Sequence, residues 1–152
     1  MLDIKNLSKN LTLDEACVTN SKFDNTPGRT EIENLKKIAE KVFQPCREHF
    51  GKPLTVNSGY RSLAVNKAVG GASNPPSQHT KGQALDLDFG NREDNKTLFE
   101  YIRKNLMFDQ LIYEAGNDTG PDWVHVSYNS AMNRKEVLKM TKINGKSTYK
   151  KL

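Results

Sequence analysis

The chain has 152 residues, is 36% hydrophobic and 27% charged, and carries a formal net charge of +5. Length and balance describe one globular domain able to bury its own core, and no apolar run approaches the roughly 18 residues that a bilayer span needs. The charge is uneven: from Arg134 to Leu152, seven Lys/Arg stand against Glu136 alone, on a near-neutral remainder.

Residues 1–16 have polar side chains every few positions and no apolar h-region, so no signal peptide is expected. Thr12 to Glu15 has the form of a capping box and predicts a short helix to about Thr19. The turn-rich "FDNTPGRT" leads to a second box at Thr30 to Glu33. Behind it Ile32, Leu35, Ala39, Val42, Phe43, Cys46 and Phe50 recur at helical spacing. Pro45 removes a backbone donor inside this helix and predicts a kink or break near Phe43. Cys17 and Cys46 are too far apart for a zinc knuckle or a redox pair and read as buried free thiols at apolar helix positions; nothing requires a disulfide.

Residues 54–61 predict a strand entering a glycine turn, and 62–69 a short helix ending at Gly70 and Gly71. A loop, "GGASNPPSQHTKG", precedes "QALDLDF", where Leu85, Leu87 and Phe89 alternate with Ala84, Asp86 and Asp88. Residues 92–105 predict a helix that uses Leu98, Phe99 and Ile102. "FDQLIYE" and "DWVHVSY" predict two more strands, and Asn144-Gly145 the turn of a small terminal hairpin. Helices first and strands mostly after predict an α+β fold with an antiparallel sheet. One domain is expected over 1–152, with its core at about 10–130 and a basic extension over 131–152.

Two of the three histidines stand in settings that invite chemistry. In "WVHVSY", His125 shares a face with Trp123 and Ser127, away from Val124 and Val126. If this strand neighbours "QALDLDF", His125 and Asp86 lie on one face, and the loop holding His79 leads into Asp86's strand. Two imidazoles and a carboxylate then converge, which is how three protein ligands hold a catalytic zinc with one position open. Spacing alone leaves open a surface role for His79 and a hydrogen-bonded core role for His125. His49, at the polar end of the long helix, reads as surface. Asp88 reads either as a partner to a ligand histidine or as a solvated acid.

Four segments in order, "SGYRS" (58–62), "SQHTKGQALDLDF" (77–89), "FDQLIYE" (108–114) and "DWVHVSY" (122–128), resemble the zinc D-Ala-D-Ala carboxypeptidase and L-alanyl-D-glutamate endopeptidase family. That family shares its fold with the hedgehog signalling domain. The resemblance covers roughly residues 10–128 and implies helices packed on one side of an antiparallel sheet. It implies that His79, Asp86 and His125 bind Zn2+. Asp122, three residues before His125, stands where the family keeps its general base; family carboxypeptidases often have glutamate there and phage endolysins aspartate. Glu114, ending "QLIYE", is a rival base. Arg61 matches an arginine that faces the substrate carbonyl and carboxylate, and Ser77 a hydroxyl beside the first ligand that can bond substrate.

The implied activity is cleavage of peptidoglycan stem peptides by a monomeric D,D-carboxypeptidase or L,D-endopeptidase. A basic end without a leader suits a phage endolysin, held in the host cytoplasm until released to the cell wall, where that end would meet anionic wall polymer. The alternative is a non-catalytic, zinc-stabilised binding module of the same fold. A specific nucleic-acid partner is not expected, because no aromatic residue beyond Tyr149 interleaves with the basic stretch.

Overall fold

The computed structural model describes residues 5–152; residues 1–4, where the stretch read as leaderless begins, lie outside the described residues. An antiparallel ribbon of β1 (Asn6–Ser8) and β2 (Leu11–Thr12) leads into α1 (Leu13–Ala16). The Thr12 box forms as predicted, with Thr12 Oγ1 accepting from the Glu15 N–H at 3.1 Å. The helix ends at Ala16 rather than Thr19, because the Ala16 carbonyl accepts instead from the N–H of distant Tyr60 at 2.7 Å. Cys17 is therefore half-buried at a helix end, while Cys46 is fully buried, and both are free thiols. Burial, helped at Cys17 by Asp14, pushes their pKa values up to about 11 and about 12.

The next helix, α2 (Arg29–Ile38), begins before the predicted box. Gly28 is its cap, and the Gly28 carbonyl accepts from the Ile32 N–H at 3.0 Å, so Thr30 is already inside the first turn and cannot cap it. The effect of Pro45 appears as expected. The chain passes through one π-helical turn, Ala39–Phe43, with the Gln44 N–H reaching back to the Ala39 carbonyl, before α3 (Gln44–Phe50) takes Pro45 in its first turn. There the missing donor costs little. Two further helices follow: α4 (Leu63–Ala68), capped by Ser62, and α5 (Arg92–Asn105), capped by Asn91.

The main sheet comprises β3 (Thr55–Ser58), β4 (Ala84–Asp88), β5 (Gln110–Glu114), β6 (Trp123–Ser127), β7 (Glu136–Ile143) and β8 (Lys146–Lys151). Their order across the sheet is β3-β4-β6-β5-β7-β8. The expectation of an antiparallel sheet needs one correction, since β7 runs parallel to β5. Lys135 and Glu136 donate their N–H groups to the Phe108 and Asp109 carbonyls, so β7 starts beside the start of β5 and must run with it. Residues 136–151 are accordingly part of the sheet rather than an appendage, and Met140 is buried there. The turn between β7 and β8 is Asn144-Gly145, both at positive φ, as the dipeptide predicts.

Leu85, Leu87, Leu111, Val124 and Val126 form one face of this mixed α/β arrangement and pack into a single core with Leu35, Phe43, Leu98, Phe99 and Ile102 of the helical layer. Each such side chain, fully buried, contributes about 1.5–3 kcal/mol. Among the described residues no helix is long and apolar enough to cross a membrane.

Candidate metal centre

The opposite face of the sheet gathers the candidate site. Asp86 on β4 lies directly across from His125 on β6. Asp86 Oδ1 is 3.0 Å from His125 Nδ1 and 3.3 Å from His79 Nε2, and one ligand atom from each of the three residues lies within 4.8 Å of the others. His79 reaches this point from a 3-10 turn, Gln78–Lys81, capped by the Ser77 hydroxyl. Its Nδ1 lies 2.6 Å from the Gly59 carbonyl oxygen. A carbonyl only accepts, so Nδ1 carries a proton and Nε2 is the nitrogen turned toward Asp86. This second contact is what a metal-binding histidine needs to hold its tautomer and orientation. Two nitrogens and an oxygen converging at this distance fit a zinc-type donor set.

Two glycines set the placement. A Cβ on Gly59 would collide with the Ala16 carbonyl, so only glycine lets the β3 end close on α1 and present its own carbonyl to His79. Gly82, at φ 71°, ends the His79 turn and packs its Cα against the Glu31 carbonyl. Buried Asp109 ties the same turn to β7: its Oδ2 accepts from Gln78 Nε2 at 2.9 Å, and Arg134 grips it through Nε (2.9 Å) and Nη2 (3.1 Å). Burial would raise the Asp109 pKa, but these bonds lower it. Neither Gly59 nor Asp109 was assigned from sequence, although both lie inside the segments singled out there.

Asp86 is largely withdrawn from water, its side chain 14% exposed. Burial alone would raise its pKa, yet the two imidazoles hold it well below the usual carboxylate range. Arg61 sits at the rim beside Ser77. Its backbone N–H donates to the His79 carbonyl at 3.0 Å and its Nη2 to the Ser77 hydroxyl at 3.2 Å. Its Nε is buried without a hydrogen-bond partner among the described residues, and burial lowers the guanidinium pKa against the opposing pull of Asp86. The Arg61 turn is fixed by Asn25, which donates to the Tyr60 carbonyl and accepts from the Ser62 N–H. Arg61 also borders a cavity of about 420 Å³ lined by Val18, Asn20, Asn57, Val65 and Val69.

The two rival acids separate. Glu114, at the end of β5, pairs across from Trp123 and so lies on the same face as His125. It is only 7% exposed. Burial raises its pKa to about 7, with Asp86 adding to the rise and His125 and Lys142 opposing it. Asp122 precedes β6 by one residue and turns to the helix side, where its Oδ1 accepts from Arg92 Nε at 2.8 Å. Its backbone is held by Glu114 and Asn95. The carboxylate of Asp122, the residue that the resemblance implies as base, is therefore not brought to His125 but lies in an ion pair with α5.

Asp88 accepts from Asn95 Nδ2 (2.9 Å) and the Gly90 N–H (2.7 Å), closing the β4–α5 turn rather than supporting a ligand histidine. His49 is exposed and stacks on Tyr101 at 4.1 Å, a surface role as expected.

A buried His-Asp-His set with a carboxylate of raised pKa on the same face and a guanidinium at the rim is the arrangement of a metal-dependent hydrolase. The chain belongs to the Peptidase M15 family, whose pattern matches residues 7–127. Over 50 residues it is 54% identical to a zinc D-Ala-D-Ala carboxypeptidase of Streptomyces albus G. That stretch is 32% of this chain and 19% of the relative, so the match spans about a fifth of the relative's length.

Proposed function

We propose that the chain is a zinc-dependent peptidase of hedgehog-type fold that cuts peptide bonds in bacterial peptidoglycan stem peptides. The observation that carries this reading is the buried set of His79, Asp86 and His125 with Glu114 on the same face. Zinc held by the three ligands would supply Lewis acidity to a substrate carbonyl and lower the pKa of a water. Glu114, with its pKa near 7, takes a proton from the attacking water and returns it to the leaving amine. Arg61 supplies positive charge for the developing oxyanion or a substrate carboxylate, and the Ser77 hydroxyl holds Arg61 in place and offers substrate a hydrogen bond. Asp122, spent on Arg92, orders the start of β6.

Either a D,D-carboxypeptidase or an L,D-endopeptidase can use these groups. An endolysin role, with release from the host cytoplasm onto anionic wall polymer, suits the basic C-terminal strands. A non-catalytic binding module is disfavoured by Glu114, since a structural metal site has no use for a buried carboxyl of raised pKa.

Zymography on purified cell wall, paired with metal analysis, tests the proposal. Close to one zinc per chain and a cleared zone abolished by chelator are expected, with both lost in His125→Ala. Zinc retained in His125→Ala would end the ligand assignment. A zinc-loaded chain that leaves wall intact would favour the binding module.

A further inference from the structure

The cations of the C-terminal strands divide into two groups. Arg134 is committed to Asp109, and Lys135 and Lys139 lie over the rings of Phe108 and Tyr113. Lys142, Lys146, Lys150 and Lys151 form no ion pair among the described residues and are exposed; Lys146 and Lys150, paired across from Ile143 and Lys139, lie on the face away from Met140. The register decides where they point. Glu114 pairs with Met140, and Met140 with Tyr149; Ile112 pairs with Leu138, and Leu138 with Lys151. Alternation puts Lys142 on the face of Met140. So Leu138, Met140, Lys142, Tyr149 and Lys151 continue, without change of face, the surface that holds His125 and Glu114.

The distance suits a peptide. Strands lie about 4.8 Å apart, so the three steps from β6 through β5 and β7 to β8 span about 14 Å, the reach of about four extended residues. Along this path come a general-base candidate, a buried apolar floor at Met140, a half-exposed aromatic ring at Tyr149, and two unpaired ammonium groups. Apolar floor, ring and cations together complement an extended chain that carries a carboxylate.

We propose that the site-facing surface of the β7–β8 hairpin binds the flank of the peptide substrate that passes over Glu114, with Lys142 or Lys151, which lie on either side of the Met140–Tyr149 pair, pairing a free carboxylate within about four residues of the scissile bond and Tyr149 packing against the chain. This rests on the peptidase reading and narrows it to substrates with an anionic flank.

The test compares two stem peptides, one with the free α-carboxylate of its glutamate residue and one with that group amidated. Binding is measured by calorimetry on the chelated full chain, which needs no cleavage, and KM on the zinc-loaded enzyme. The free acid is expected to bind about fivefold more tightly, as an exposed ion pair allows. The Lys142→Gln/Lys151→Gln double variant is expected to bind both stems alike, and Lys142→Arg is expected to keep the preference. Equal binding of the two stems by the unaltered chain, or a preference that survives in the double variant, overturns the inference. So does a double variant that loses affinity for polyglycerol phosphate while keeping its stem preference, since the hairpin would then serve wall polymer. A preference in binding with no cleavage of either stem would uphold the hairpin assignment and count against the peptidase reading alone.

Discussion

On one face of β4, β5 and β6, Leu85, Leu87, Leu111, Val124 and Val126 are wholly buried within a helix-covered core. On the other, the polar side chains of His125 and Glu114 are buried and that of Asp86 is 14% exposed. The first face is held by non-directional apolar contact, which asks only for volume and shape. The second must answer for every polar atom. Asp86 is answered by two imidazoles and His79 by the Gly59 carbonyl. Glu114 is answered least, and its raised pKa records the cost of its burial. The same contrast separates the two acids at the β5–β6 turn. The Asp122 N–H bonds to the Glu114 carbonyl, so their backbones touch, yet one carboxylate faces the ligand set and the other an exposed arginine.

The sharpest way to break the contrast is at the rim. Arg61→Ala is expected to keep zinc and fold but to lower turnover about 100-fold to 1000-fold, as loss of an oxyanion partner does. Wild-type turnover in this variant would make Arg61 an ordinary structural cation. A second effect concerns stability. The folded-state pKa of Glu114 lies above its ordinary value of 4.5, so its contribution is most favourable below pH 4.5 and is lost as pH rises through about 7. In chelated protein, Glu114→Gln should therefore be more stable than the parent above pH 7, by up to about 3 kcal/mol, and no different near pH 4. Thermal melts at the two pH values read this directly, and an identical shift at both would mean that Glu114 carries no burial cost. The smallest effect belongs to the exposed pair: Asp122→Asn should cost less than about 1 kcal/mol in denaturant melts. A larger loss would show that the Arg92 contact anchors the start of β6 more strongly than an exposed pair can.

Much of this site was legible because alternation is local. The period of two in "QALDLDF" and "WVHVSY" separates Asp86 and His125 from their aliphatic neighbours without knowledge of the fold, and adjacency of the two strands then brings them together. The break at Pro45 is equally local, since a missing N–H is a property of one residue. The early end of α1 was not legible, because it depends on Tyr60, far along the chain. The parallel pairing of β7 with β5 depends in the same way on where residues 128–135 carry the chain. Asp122 shows how a family pattern and alternation can conflict: its position matches the base of relatives, while a strand that starts at Trp123 turns its carboxylate toward α5. The helix that supplies Arg92 was predicted, but its docking against that turn was not.

The central claim is that the proton-transferring carboxylate is Glu114 and not Asp122. Turnover of purified wall by zinc-loaded Glu114→Gln and Asp122→Asn, with zinc content measured in the same samples, tests it most directly. The account predicts full zinc in both, a loss of at least about 100-fold in Glu114→Gln, and turnover within a few-fold of the parent in Asp122→Asn. An inactive Asp122→Asn beside an active Glu114→Gln, both fully loaded, would contradict it.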